Sequence, residues 1–154
     1  MGYVEELREI VGHRPLILVG AVTIIMDTEN RILLQKRKTT SYGMWGIPGG
    51  LMELGESAEE TARREVFEET GLTVGKLELI DVFSGKDSYL KVPNGDEFYA
   101  VTVAYYTKEI SGTFNMDEDE SLDFCFISLD ELPENIVKSH KKMIDRFLSI
   151  YKPD

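Results

Sequence analysis

Cysteine is nearly missing from this chain: Cys125 stands alone, which excludes an internal disulfide framework and a zinc site built from several cysteines. Also missing is any apolar run near the ~20 residues that a membrane-crossing helix requires. The opening Met1-Gly2-Tyr3-Val4-Glu5-Glu6 lacks the basic and then apolar order of a secretory signal. It also makes a poor myristoylation signal, because Glu5, Glu6 and Leu7 follow Gly2. The expected location is therefore cytoplasmic, with no membrane partner. Cations are scarce, 17 Lys and Arg against 28 Asp and Glu for a net charge of −11. Broad binding to a nucleic-acid backbone uses clustered Lys and Arg, so the balance argues against bulk nucleic-acid binding. A small phosphorylated ligand is still open, since divalent cations can sit between an acidic pocket and a polyphosphate. Repeats, low-complexity tracts and Ser/Gly linkers are absent, and 154 residues suit one domain over 1–154. Cys125 lies in the apolar alternation Phe124-Cys125-Phe126-Ile127 and is expected to be a buried small hydrophobe.

Periodicity outlines the elements. Apolar residues at 4, 7, 10 and 11 predict a short N-terminal helix within 1–15, ended by Pro15. Leu16 to Met26 predicts a central strand, joined by Asp27-Thr28-Glu29-Asn30 to a strand over Arg31–Lys36 as a first hairpin. A glycine-rich loop follows, Thr39 to Gly50. Ser57 and Glu60 form the signature of a capping box, Ala58, Ala62 and Val66 make a buried stripe, and Gly71 is placed to end that helix. Leu77–Ser84 and Leu122–Ser128 read as strands. Asn94-Gly95 marks a hairpin between Tyr89–Val92 and Glu97–Thr107, with Pro93 suggesting a sheet edge. His140, Met143, Ile144, Phe147, Leu148 and Tyr151 share a face of a C-terminal helix over 137–151. Mixed helices, strands and hairpins predict an α+β chain, an α/β/α sandwich around a mixed β-sheet.

The helix after Ser57 carries the chemistry. Glu65, Glu68 and Glu69 stand at i, i+3 and i+4 and project from one side. Like charges so spaced destabilise a helix. Glu68 has Arg64 four residues earlier, whereas Glu65 and Glu69 have no Lys or Arg three or four residues away. A hard divalent cation with oxygen ligands would compensate them; a solvated acidic face is the plainer alternative. Pro48-Gly49-Gly50 allows close backbone approach to a ligand, and the fork of Arg64 can tie that loop to the helix.

The segment GLMELGESAEETARREVFEETGL, residues 50–72, resembles the Nudix box of the Nudix hydrolases at all nine fixed positions: Gly50, Glu56, Arg64, Glu65, Val66, Glu68, Glu69, Gly71 and Leu72. Trp45-Gly46-Ile47-Pro48-Gly49-Gly50 before it and Ile127-Ser128-Leu129-Asp130-Glu131-Leu132-Pro133 near the end are similar to the same MutT-like family. The resemblance implies the Nudix fold and hydrolysis of a diphosphate linkage in a nucleoside diphosphate attached to another moiety. A nucleoside triphosphate, a nucleotide sugar, a dinucleoside polyphosphate and an RNA 5′ end all qualify. It implies Mg²⁺ or Mn²⁺ held by Glu65, Glu68 and Glu69 with the carbonyl of Gly49, assisted by Glu56. Arg64 holds the site together rather than reacting. The general base comes from the box or from the acidic loop Asn115–Glu120, with Glu118 and Glu120 as candidates.

For the substrate, Arg37 in the basic island Lys36-Arg37-Lys38 resembles a phosphate- or ribose-contacting arginine. Tyr42, Trp45, Phe83, Tyr89 and Tyr99 could stack on a base. Members of the family that sense a nucleotide without cleaving it form the alternative, although they typically lose box carboxylates and this chain keeps them. Relatives of this size are often homodimers, and the N-terminal helix and the edge near Pro93 are the candidate surfaces. His13 is left between an interface and a pocket role.

Overall fold

The longest apolar stretch of the sequence is buried on both of its faces, and that burial organises the molecule. In the computed structural model, which describes residues 2–151, strand β1 (Leu16–Ile25) runs through the centre of a mixed sheet. It pairs in parallel with β8 (Glu97–Thr107) over ten residues and antiparallel with the short β4 (Gly49–Leu51). On its other edge β8 pairs antiparallel with β6 (Glu78–Phe83) and, nearer its start, with β7 (Tyr89–Lys91). A second sheet holds β2 (Arg31–Arg37) between β10 (Ser121–Ser128) and β3 (Trp45–Gly46), and a small third one joins β5 (Thr73–Val74) to β9 (Ile110–Ser111).

Side chains alternate across a strand, so β1 feeds two cores. Val22, Ile24 and Met26 face α3 (Lys138–Ile150), where Met143, Ile144 and Phe147 are buried. Ala21 and Ile25 face α2 (Ala58–Thr70), where Ala62 and Val66 lie with Leu72, Val74 and Tyr105. The predicted sandwich is thus formed, with a helix on each face. The start of α2 carries the expected capping box, Ser57 and Glu60 exchanging bonds at 3.1 Å, and Gly71 ends it at φ +75°.

Several expectations need correcting. Strands β1 and β2 are not a ladder-paired hairpin: they belong to different sheets, with the isolated bridge Met26↔Ile32 just beyond the end of β1. The turn forms, with the Asp27 carboxylate accepting the amides of Glu29 and Arg31, but β2 then pairs with β10 and β3. The N-terminal helix α1 (Tyr3–Val11) stops at Gly12, φ +70°, before Pro15 is reached. Cys125 is exposed rather than buried, because β10 is an edge strand whose alternation leaves Asp123 and Cys125 outside. Leu148, assigned to the packed face of α3, is 39% exposed. The Asn94-Gly95 turn is present, with Gly95 at φ +98° and the Asn94 side chain receiving the amide of Asp96.

Candidate active site

The carboxylate helix meets the sheet through glycine. A Cβ on Gly49 would lie 2.3 Å from the Ala21 carbonyl oxygen, and one on Gly50 2.3 Å from the carboxyl carbon of Glu65. Only a bare backbone lets β4 run between β1 and α2 this closely. The Gly49 amide then donates to Glu69 Oε2 at 3.2 Å.

Arg64 clamps the assembly. Its Nε and Nη2 donate to the two oxygens of Glu56 at 2.6 and 2.9 Å, Nη2 also reaches the Leu51 carbonyl at 3.0 Å, and Nη1 donates to Glu65 and Glu68 at 2.8 and 3.2 Å. Glu56 also accepts from the Glu53 amide and the Thr61 hydroxyl. The Arg64 hydrogen bonds, with these two donors, hold its carboxyl down at about 2. A carboxylate so engaged positions the loop 51–56.

Glu65 and Glu69 are in the opposite condition. Glu69 is only 7% exposed, and burial, then the charge of Glu65, push its carboxyl well above the usual range. Burial raises Glu65 too, against the pull of Arg64. Glu69 has no Lys, Arg or His within ion-pair reach among the described residues. Two neighbouring desolvated carboxylates, of which only Glu65 has an arginine in ion-pair contact, suit a hard divalent cation with oxygen ligands. The described residues do not draw three acids into a closed cage, and Glu68 stands at the rim with 55% of its side chain exposed. Glu65 and Glu69, with the backbone at Gly49, are the residues that could hold such an ion.

Of these groups Gly49, Gly50 and Glu69 line a cleft of about 780 Å³, which Glu56, Arg64, Glu65 and Glu68 do not. Arg37 lines it beside Glu69 and Glu120, held by a bond from Nη2 to the Thr40 hydroxyl at 3.0 Å. Burial lowers its pKa, against the pull of Glu69 and Glu120. Backbone bonds from Asn115 and Asp117 to the carbonyls of Thr70 and Glu69 lace the acidic loop to the end of α2. Of its two candidates, Glu120 lines the cleft, whereas Glu118 lies off it with its carbonyl bonded to Lys38 Nζ at 2.8 Å.

The aromatic candidates do not line the cleft. Trp45 and Phe83 pack against the core under α3. Tyr89 and Tyr99 contact each other at 5.4 Å on the other face of the sheet, opposite Phe98, and Tyr42 is 70% exposed. Strand alternation decided this: Phe98, Ala100 and Thr102 turn into the cleft, so Tyr99 cannot.

Sequence reasoning placed His140 on the packed face of α3 and foresaw the helix α1, but assigned neither to the site. The Nδ1 of His140 accepts the Ile47 amide at 2.9 Å and so braces the approach to Gly49. From α1, Val4 and Arg8 line the cleft. The available signal was a cation four residues after Val4, inside the apolar stripe of a short helix. His13 lies 2.6 Å from Asp96, joining the end of α1 to the β7–β8 turn.

Comparison with known proteins agrees with this geometry. The NUDIX domain matches residues 17–147. An ADP-ribose pyrophosphatase of Methanocaldococcus jannaschii is 33% identical over 129 residues, covering 83% of this chain and 72% of that protein. An ADP-ribose pyrophosphatase of Bacillus subtilis is 35% identical over 126 residues, covering 80% of this chain and 63% of that protein. The crystal structure of a MutT Nudix hydrolase from Burkholderia pseudomallei superimposes with a TM-score of 0.74 at 27% identity, over 85% of this chain and 98% of that one. No helix among the described residues is long and apolar enough to cross a membrane. The glycine-threaded carboxylate site and the domain around it have one origin: the chain belongs to the Nudix family of pyrophosphohydrolases.

Proposed function

We propose that this protein hydrolyses the diphosphate linkage of a nucleoside diphosphate derivative in a reaction that depends on Mg²⁺ or Mn²⁺. The observation that carries the proposal is Glu69: a buried carboxylate in contact with no Lys, Arg or His among the described residues, offset only at a distance by Arg37 across the same cleft. Such a group is costly unless something compensates it. A divalent ion, when bound, supplies charge neutralisation at the diphosphate and acidifies a water molecule. Glu65 and Glu69 would hold that ion, and Arg37 would orient a phosphate through its fork of donors. Glu120 would take the proton of the attacking water; its oxygen bonds to phosphorus as the bridging oxygen leaves on the other phosphate.

The names of two relatives support ADP-ribose as the first substrate to try. The test is a panel of ADP-ribose, nucleotide sugars, dinucleoside polyphosphates and nucleoside triphosphates with Mg²⁺ or Mn²⁺, read by phosphate release after phosphatase coupling. Release abolished by chelation and reduced at least ~100-fold in Glu69→Gln is expected. Release that survives chelation, or wild-type turnover in a folded Glu69→Gln, would overturn the metal-site assignment.

A further inference from the structure

Helix α1 lies outside the matched domain, which begins at residue 17. None of its residues is buried, so the core gives no account of why it docks where it does. Its attachments do. At one end the Tyr3 amide donates to Glu53 Oε2 at 2.9 Å, and the Glu53 amide in turn donates to Glu56, the carboxylate clamped by Arg64. At the other end Arg8 donates to the carbonyls of Gly12, Arg14 and Glu97 at 2.9, 2.6 and 2.6 Å. Its Nε is buried without a hydrogen-bond partner, 3.6 Å from Asp96 Oδ2. Only 10% of the Arg8 side chain and 17% of Asp96 are exposed. The helix therefore spans the cleft, from the loop of the carboxylate site to the β7–β8 turn, and Arg8 pins the far end.

The two ends of the cleft differ in chemistry. Glu69, Glu120 and Arg37 collect at one, where a diphosphate with its cation belongs; Val4, Leu18, Leu90 and Phe98 line the other, together with Arg8, Lys91 and Asp96. The apolar side chains suit the face of a nucleobase, while Arg8 is already engaged by Asp96 and three carbonyls.

We propose that α1 is a specificity strap, closing the cleft over the nucleoside end of the substrate, with Val4 touching the base and Arg8 acting as the positioning residue that holds the strap. This rests on the pyrophosphohydrolase function proposed above. Arg8 touches no reacting atom, so its loss acts on nucleoside binding and leaves chemistry at the carboxylates alone.

The experiment compares ADP-ribose with 5-phosphoribosyl diphosphate, which carries a diphosphate and no base, on wild type, Arg8→Ala, Arg8→Lys and Val4→Glu. Calorimetric binding of ADP with Mg²⁺ is measured alongside. Arg8→Ala and Val4→Glu should each raise KM for ADP-ribose about tenfold with kcat within twofold, the signature of lost ground-state binding. The constants for 5-phosphoribosyl diphosphate should not move. Arg8→Lys keeps the charge near Asp96 but not the three-carbonyl fan, and should recover part of the loss. Equal effects on both substrates, or none on ADP-ribose and ADP, would overturn the strap. A wild type that cleaves no diphosphate yet binds ADP more tightly than Arg8→Ala would refute the enzymatic function and leave the strap standing. A wild type that neither cleaves nor binds would refute both.

Discussion

His140 sets a pH limit on stability that can be worked out in advance. Its ring is turned inward against β3, Nδ1 accepting the Ile47 amide at 2.9 Å. Burial, reinforced by the positive charge of Arg37, lowers its pKa from 6.5 to about 3. The folded protein thus keeps the ring neutral while the unfolded chain protonates it below the ordinary value. Stability is fully present above pH 6.5 and is lost as pH falls toward 3, where the folded ring finally titrates. The slope is about 1.4 kcal/mol per pH unit for one proton, so about 2 to 3 kcal/mol is gone by about pH 4.5. His140→Asn removes the titration, and its Oδ1 can still accept from Ile47. Urea unfolding of both proteins at pH 7.0 and about 4.5 isolates the effect, because every carboxylate contributes equally to both. Wild type should lose about 2 to 3 kcal/mol more than the variant over this interval. Parallel losses would show that the ring is not held neutral by the fold, and the reasoning would fail.

The two site glycines should fail differently. At Gly49 the obstacle is the Ala21 backbone oxygen, which cannot retreat, so Gly49→Ala should lower stability by about 2 kcal/mol or more, read as a Tm shift. At Gly50 the obstacle is the end of the flexible Glu65 side chain, so Gly50→Ala should keep its Tm within a few degrees yet lose turnover at least ~10-fold as Glu65 leaves Arg64. In the acidic loop, Glu120→Gln should lower kcat about 100-fold or more while Glu118→Gln stays within about twofold, measured on the same substrate. Equal effects of those two substitutions would remove the cleft position of Glu120 as the reason.

The box was legible because its chemistry is local. Glu65, Glu68 and Glu69 share a helix side by spacing, and capping by Ser57 with termination at Gly71 is dictated within one turn of each end. What misled was partner choice. Asp27-Thr28-Glu29-Asn30 looks like a hairpin turn from composition, but which strands pair depends on residues far away: β1 takes β8 and β4, and β2 takes β10 and β3. Cys125 alternates with apolar neighbours whichever face is covered, and only the edge position of β10 exposes it.

By itself the sequence determined the carboxylate end of the cleft: a helix that places its carboxylates on one side, a glycine loop that lets the backbone approach them, and an arginine to clamp both. Those features repeat over three or four residues, within reach of helix geometry. Only the tertiary structure decided which residues face the cleft. Parallel pairing of β1 with β8 turned Phe98 inward and Tyr99 outward, and the docking of α1 across the sheet brought Val4 and Arg8 to the far end. A strand has two equivalent faces and a short helix no fixed partner, so local sequence leaves both undetermined until distant segments pack.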